Sequence, residues 1–388
     1  MSTNIKLPKD WKWLKLKDIC EVVTGTTPPK SDMSNYGSDI PFFKPPHLWD
    51  RQIIDTEEKL SLKGAEKARI VPPNTVLVTC IGNLGRTGFV KKKAAFNQQI
   101  NAILENEKID GKYVFYQAQS PLFKQQLEKL ATGTTVSIVN KGNFETIEIP
   151  LPPLAIQQAI VSKIEELFSE LDNGIANLKT AQQQLKTYRQ SVLKWAFEGK
   201  LTNKKVKEGE LPKGWETKTL GEVFKVSSGK GIKINELKGG EYAVYGGNGL
   251  NGYHSEYFIE EPVLIIGRVG VKCGVTHITK PKSWVSDNAL IVKPIITDFD
   301  IKYFKLRLEF ENLNKLSVST AQPVISGNSI YSVVIMLPKL DEQNLIVQEI
   351  EIRLSVADKM EESINQSLQQ AEALRQSILK MAFEGKLV

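Results

Sequence analysis

The chain has 388 residues, 41% hydrophobic and 24% charged, with 51 Lys and Arg against 44 Asp and Glu for a formal charge of +7. That length exceeds one ordinary core and calls for two or more modules, and the composition excludes wholesale disorder. Three scattered cysteines (Cys20, Cys80, Cys273) and three histidines (His47, His254, His277), none in CxxC, HExxH or HxH spacing, exclude a disulfide framework and a zinc site.

The first 18 residues, MSTNIKLPKDWKWLKLKD, lack an apolar core of signal-peptide length, and no apolar stretch approaches a membrane span. The expectation is a soluble, cytoplasmic protein. After LPKDWKWLKLKDI from Leu7 come β-branched runs broken by glycine, TVLVTCIG and RTGFV, then the strand candidate NQQINAIL and a helical piece from Tyr113 to Leu130. The segment IEIPLPPL from Ile147 closes this module.

A long helix follows. Ile164, Leu171, Leu178, Leu185 and Val192 fall every seven residues, with Phe168, Ile175, Gln182, Arg189 and Ala196 four residues after each, which describes a coiled-coil seam. It starts behind Pro152-Pro153, and its FEGKL ending places Gly199 where a left-handed cap would stand.

The pattern then repeats. LPKGWETKTLGEV from Leu211 matches the opening segment at an offset of 204 residues. VVIMLPKLDEQNLIVQEI from Val333 and RQSILKMAFEGKL from Arg375 match Ile147 and Arg189 onward at an offset of 186, so the second module is 18 residues shorter while the helix keeps its length. The second module offers PVLIIGRVGVKCGVTHI and DNALIVKP as strands and Ile301 to Leu316 as helix. In the second long helix Ile350, Ala357, Ile364, Ala371 and Ile378 hold the seam, beside Leu354, Glu361, Leu368, Arg375 and Ala382. Large residues in one copy against alanines in the other predict that the two helices pack on each other. The fold class is α+β, with two β-rich modules alternating with two long helices that pair as a coiled coil under an internal pseudo-two-fold repeat. The division is 1–150, first module; 151–201, first helix; 202–210, linker; 211–336, second module; 337–388, second helix.

The positive charge lies in the modules. Residues 7–150 carry 20 basic and 16 acidic groups and 211–336 carry 15 and 12, whereas 337–388 carries 6 and 9. That is the footprint of modules facing phosphates and helices facing protein.

Several motifs fail on context. Gly247-Asn248-Gly249-Leu250-Asn251-Gly252 fits GxGxxG, yet it is dense in Asn-Gly turn signals and has no helix after it. Lys44-Pro45-Pro46-His47 lacks the amide or acid and the aromatic ring of an amino-methyltransferase motif. The ExK fragments at Glu57 and Glu105 have no Pro-Asp partner, and GxxxxGK[ST] is absent. No catalytic residue is assigned.

The polar Gly-rich loops are the better candidates. Ile81-Gly82-Asn83-Leu84-Gly85-Arg86 and Ile266-Gly267-Arg268-Val269-Gly270 each present an arginine on a bent backbone after a strand. Lys91, Lys92, Lys93 and Lys272 follow. Arginine can take guanine O6 and N7, and Asn or Gln can take adenine N6 and N7. Asn97, Gln98 and Asn288 could supply such readers; the bland alternative is that the arginines make salt bridges and the amides cap turns. Lys141, Lys230 and Gln322 complete the DNA-contact candidates. Candidates for a protein partner are the polar residues near the two helix starts, Gln157, Gln158, Gln343 and Asn344.

With the LPKxW segments (Leu7 to Trp11, Leu211 to Trp215), GTTVSIVNKGNFETIEIPLPPL from Gly133, STAQPVISGNSIYSVVIMLPKL from Ser319, the RQSxLKxAFEGKL helix ends and the tandem duplication, nearly the whole chain resembles the specificity subunit of type I restriction-modification systems. It departs where Ser319 stands in place of Gly133. The resemblance implies a non-catalytic subunit with two target recognition domains separated by long helices that pair as an antiparallel coiled coil, each domain reading half of a split double-stranded DNA site across a gap set by the helices. It also implies methyltransferase subunits, two in number, that bind S-adenosylmethionine, and ATP- and Mg²⁺-dependent restriction subunits; this chain itself would hold no cofactor. Modules of different sequence predict an asymmetric target. The alternatives from the residues alone are a coiled-coil adaptor that binds protein, and a stand-alone DNA-modifying enzyme.

Overall fold

A computed structural model describes all residues except 1–5, 134, 204, 208, 234–236, 238, 271 and 318–322. The chain divides into two compact units, Met1–Lys179 with Asn365–Val388, and Thr180–Ile364. Each unit holds one strand-rich module and one stretch of each long helix.

In the first unit the strand Lys12–Lys15 pairs antiparallel with Glu148–Leu151, Lys12 opposite Leu151. This ladder ties the module's opening segment to its closing one, which is why LPKxW and the LP segment recur together. Between them stands a five-stranded sheet in the order Val22–Thr24, Ile100–Ile103, Val76–Thr79, Thr87–Val90, Arg51–Ile53, the last pair parallel and the others antiparallel. A second sheet runs Lys59–Leu60, Tyr36–Phe43, Ala94–Phe96, Ile70–Val71. The predicted helical piece is split: Ser120 ends Gly111–Gln119 and caps Pro121–Lys129 by accepting from Phe123 N, the proline taking the first helical position, where its missing N–H costs nothing.

The second unit repeats the plan. Glu216–Thr219 pairs with Val334–Leu337, Glu216 opposite Leu337. A four-stranded sheet runs Phe224–Ser228, Ala289–Pro294, Leu264–Gly267, Thr276–Ile278, the same antiparallel order as the first four strands of the first unit's sheet, without the fifth. Tyr242–Gly246 and Gly249–His254 form a hairpin across the would-be GxGxxG, so no helix follows those glycines and they make a turn.

The long helices span Leu154–Phe197 and Leu340–Phe383, 44 residues each, or about 65 Å at 1.5 Å per residue. In the first unit Ile160, Ile164 and Phe168 share a core with Ile378, Ala382 and Phe383. In the second, Val192, Ala196 and Phe197 share one with Ile346, Val347 and Ile350. Arg189 pairs with Asp358 at 2.7 Å and Glu361 at 2.9 Å, and Arg375 pairs with Asp172. Within each unit, later positions on one helix meet earlier positions on the other, so the helices pack on each other as the seam predicted, and they do so antiparallel. Gly199 and Gly385 both cap their helices in the left-handed region, with φ +74° and +70°. Among the described residues no helix is long and apolar enough to cross a membrane.

Candidate nucleic-acid interface

At one end of the first module, several strand ends meet. The loop 80–86 leaves strand Val76–Thr79 and is wired to its own stem: Thr79 Oγ1 donates to Asn83 O at 2.5 Å and accepts from Arg86 N at 3.0 Å. Gly82 and Gly85 both hold φ +78°, the left-handed backbone this tight return requires. Ile81 bridges to Ile138, Gly82 N donates to Ser137 O at 2.9 Å, and Cys80 N donates to Gln99 O at 2.8 Å. Loop 80–86, segment 97–99 and residues 137–139 are thus one hydrogen-bonded surface.

Arg86 lies on this surface with its guanidinium carbon 4.4 Å from the ring centroid of Trp49. Trp49 is 58% exposed, and its Nε1 donates to Pro46 O at 2.6 Å, which fixes the ring. The neighbouring carboxylate does not capture the arginine: Asp50 accepts from Thr87 N and Oγ1 at 2.8 and 2.9 Å and pairs with Lys124 at 3.6 Å. Trp49 was missed in the sequence, where LWDRQ reads as one more charged stretch. His47 beside it accepts from Lys44 N at 3.1 Å, and desolvation lowers its pKa, so the ring is neutral at pH 7.

The other first-module candidates are dispersed. Asn83 is exposed at the loop tip, and exposed Gln98 accepts from Thr27 Oγ1 at 2.5 Å, both at the same end as Arg86. Asn97 is corrected: it is 6% exposed, its amide bonds Gln99 Oε1 and Gln99 N, and it caps a turn instead of facing a groove. Lys91, Lys92 and Lys93 occupy the turn after strand Thr87–Val90, at the opposite end of the hairpin from loop 80–86, about 10 Å away along the strand. Lys141 opens a four-residue helix and pairs with Glu145 at 3.3 Å.

In the second module Arg268, Lys272 and Asn288 come together. Lys272 and Asn288 line an open groove of about 390 Å³ with Gly247, Asn248, Asn251, Val269 and Gly270. Arg268 N donates to Asn288 O at 2.9 Å at its edge, and Arg268 Nη1 stands 3.5 Å from Ser228 Oγ. Lys230 is exposed close by, with its ammonium 4.4 Å from the Phe258 centroid and its carbonyl accepting from Trp284 Nε1. Gln322 lies outside the described residues.

The ladders place the two arginines at different positions of the repeat. Val139 N donates to Cys80 O in the first module and Ile325 N to Arg268 O in the second. Thr79 N donates to Arg86 O, and Gly267 N to Val275 O. Arg268 therefore stands at the position of Cys80, and Val275 at that of Arg86. The sequence concealed this because the two loops differ in length.

The helix-start glutamines are also corrected. Gln157 is fully buried: Nε2 donates to Lys108 O and Pro152 O, and Oε1 accepts from Asp110 N. Gln343 repeats this with Asp298 O, Pro338 O and Asp300 N. Both bind the module's loop to the helix start and present nothing outward; Gln158 and Asn344 remain exposed.

Comparison with known proteins adds the following. The family model described as "Type I restriction modification DNA specificity domain" matches residues 8–186 and 212–372. The StySPI specificity subunit of Salmonella potsdam is 24% identical over 98% of this chain and 90% of its own length. The EcoKI specificity subunit of Escherichia coli K12 is also 24% identical, with the same coverage. Among solved structures, a chain from a study of complex assembly and conformational transition of the type I R-M system superposes with a TM-score of 0.79 at 20% identity, covering 98% of this chain and 99% of that one. The HsdS subunit from Thermoanaerobacter tengcongensis superposes with a TM-score of 0.67 at 20% identity, covering 99% of each.

Proposed function

The chain belongs to the type I restriction-modification DNA specificity family, and we propose that each of its modules reads one half of a split, asymmetric double-stranded DNA site. It is the DNA sequence-specificity component of a complex with other subunits. The observation that carries the finer reading is the non-equivalence of the two reading ends, with Arg86 and Cys80 in the first module where the second has Val275 and Arg268. An arginine moved by several residues along a loop reaches a different base step, so the two half-sites differ.

In this reading the paired helices act as the spacer, and exposed Gln158 and Asn344 lie on the surface that receives two methyltransferase subunits. The chain itself does no chemistry. S-adenosylmethionine belongs to the methyltransferase partners and ATP and Mg²⁺ to restriction partners, and the complex works on DNA in the cytoplasm. The arrangement supports this because the candidate contacts are amides and basic side chains that can bind phosphates and base edges without activating a nucleophile.

The test is a map of adenine methylation in cells that carry the chain with its methyltransferase partner. A motif of two unlike specified blocks around an unspecified gap is expected, and a contiguous or palindromic motif would overturn the reading.

A further inference from the structure

We propose that Trp49 and Arg86 form a preassembled guanine reader that the second module lacks, with Arg86 taking guanine O6 and N7 in the major groove and Trp49 holding it in place. The inference rests on the reading of the modules as half-site readers and names the base and the pair of residues at one of them.

Four observations carry it. Trp49 is 58% exposed although an indole of that size gains by burial, and Nε1 is tied to Pro46 O, so the ring presents a fixed face. The Arg86 guanidinium lies over that face at 4.4 Å. Among the described residues no carboxylate oxygen lies within ion-pair distance of Arg86, because Asp50 next to the ring is held by Thr87 and Lys124. The Arg86 backbone is fixed twice, through N to Thr79 Oγ1 and through O to Thr79 N.

An arginine free of any acid, anchored at its backbone and supported on a ring has lost most of its rotamer freedom before DNA arrives. Its planar fork of N–H donors suits a bidentate acceptor. Guanine presents two acceptors side by side in the major groove, and the fork matches them. A phosphate contact needs only positive charge, which Lys91, Lys92 and Lys93 offer without any supporting ring of this exposure. At the corresponding position the second module has Val275, 36% exposed, which cannot donate a hydrogen bond from its side chain. Arg268 there is placed beside Ser228 at a different register.

The test measures base preference at each position for the full chain with its partner subunits, using duplex libraries randomised in each half-site in turn. The wild type is expected to demand guanine at one position of one half-site. Arg86→Lys keeps the charge but loses the fork, and should reduce discrimination at that position by roughly 10- to 100-fold while leaving the other half-site untouched. Trp49→Ala should reduce it by roughly 3- to 10-fold and Trp49→Phe should restore most of the loss, since a ring face is what Arg86 needs. The unaltered second half-site reports that the variants are folded. Arg86→Lys behaving as wild type at every position, with Arg86→Ala losing affinity uniformly and showing a shallower salt dependence, would make Arg86 a phosphate contact and overturn the proposal. Trp49→Ala behaving as wild type would remove Trp49 from it. Wild type without any sequence preference would instead sink the half-site reading on which the proposal stands.

Discussion

Pro8 lies directly on Gly385. A methyl group added to that glycine would overlap Pro8 Cγ, and the left-handed φ of +70° already disfavours any side chain there. Pro212 covers Gly199 in the same way, with Trp215 Cζ2 3.3 Å from where the Cβ would be. The proline and tryptophan of LPKxW and the glycine of FEGKL are thus two halves of one contact, made once in each unit. Gly199→Ala or Gly385→Ala should cost about 1–3 kcal/mol from backbone strain and displaced proline together. Denaturant unfolding of each variant measures this, and a loss under ~0.5 kcal/mol would show that the cap yields.

Gln157 and Gln343 should behave as structural residues. Each satisfies two carbonyls and one amide from full burial, so Gln157→Ala leaves Lys108 O, Pro152 O and Asp110 N without their side-chain partner. A loss of about 1–3 kcal/mol is expected, and Gln157→Glu should cost more because it buries a charge facing two carbonyls. Equilibrium unfolding of the pair of variants decides: wild-type stability in Gln157→Ala would mean that the loop repairs itself with water.

These particulars show what was legible in the sequence. The long helices, their seam and their glycine caps were readable because heptads and capping are local and because the repeat supplied each signal twice. The strands were readable as β-branched runs, though the break at Ser120-Pro121 was not marked. Gln157 looked like a surface residue because a polar side chain at a helix start is ordinarily solvated; only the loop folding over it shows otherwise. The register of the two arginines was not legible because the loops that carry them differ in length and hydrogen bonds decide it, and Trp49 was not marked because exposure is a tertiary property.

The interhelix ion pairs repeat under the same offset, yet they are unequal. The two arginines are about equally exposed, but Arg189 has two acids, Asp358 and Glu361, whereas Arg375 has Asp172 and covers the Phe168 ring at 4.3 Å. Exposed pairs contribute about 0–1 kcal/mol, so Arg189→Ala should cost under ~1 kcal/mol and be strongly screened by salt. Arg375→Ala should cost more and be less salt-sensitive, because it also strips apolar cover from Phe168. Unfolding at low and high salt separates the two, and equal salt sensitivity would contradict the assignment.

Alkaline pH should destabilise the fold through its thiols. Burial pushes Cys80 up to about 12, and burial with the Glu145 charge pushes Cys20 to about 12, against an ordinary value of 9.0. With the folded-state value raised, the stabilising contribution is fully present below pH 9. Above pH 9 the unfolded chain releases these protons while the folded one retains them, so stability falls progressively as pH rises towards 12. Cys80→Ser would not isolate the effect, since Asn101 Nδ2 donates to the sulfur at 3.3 Å and a hydroxyl would change that bond. Alkylation kinetics do isolate it: at pH 8 the native thiols of Cys20 and Cys80 should react far more slowly than in denaturant, because the thiolate is the nucleophile. Native Cys80 reacting at the denatured rate would show that strand end opening freely, and the wiring of loop 80–86 to Gln99 and Val139 would then have to be loose as well.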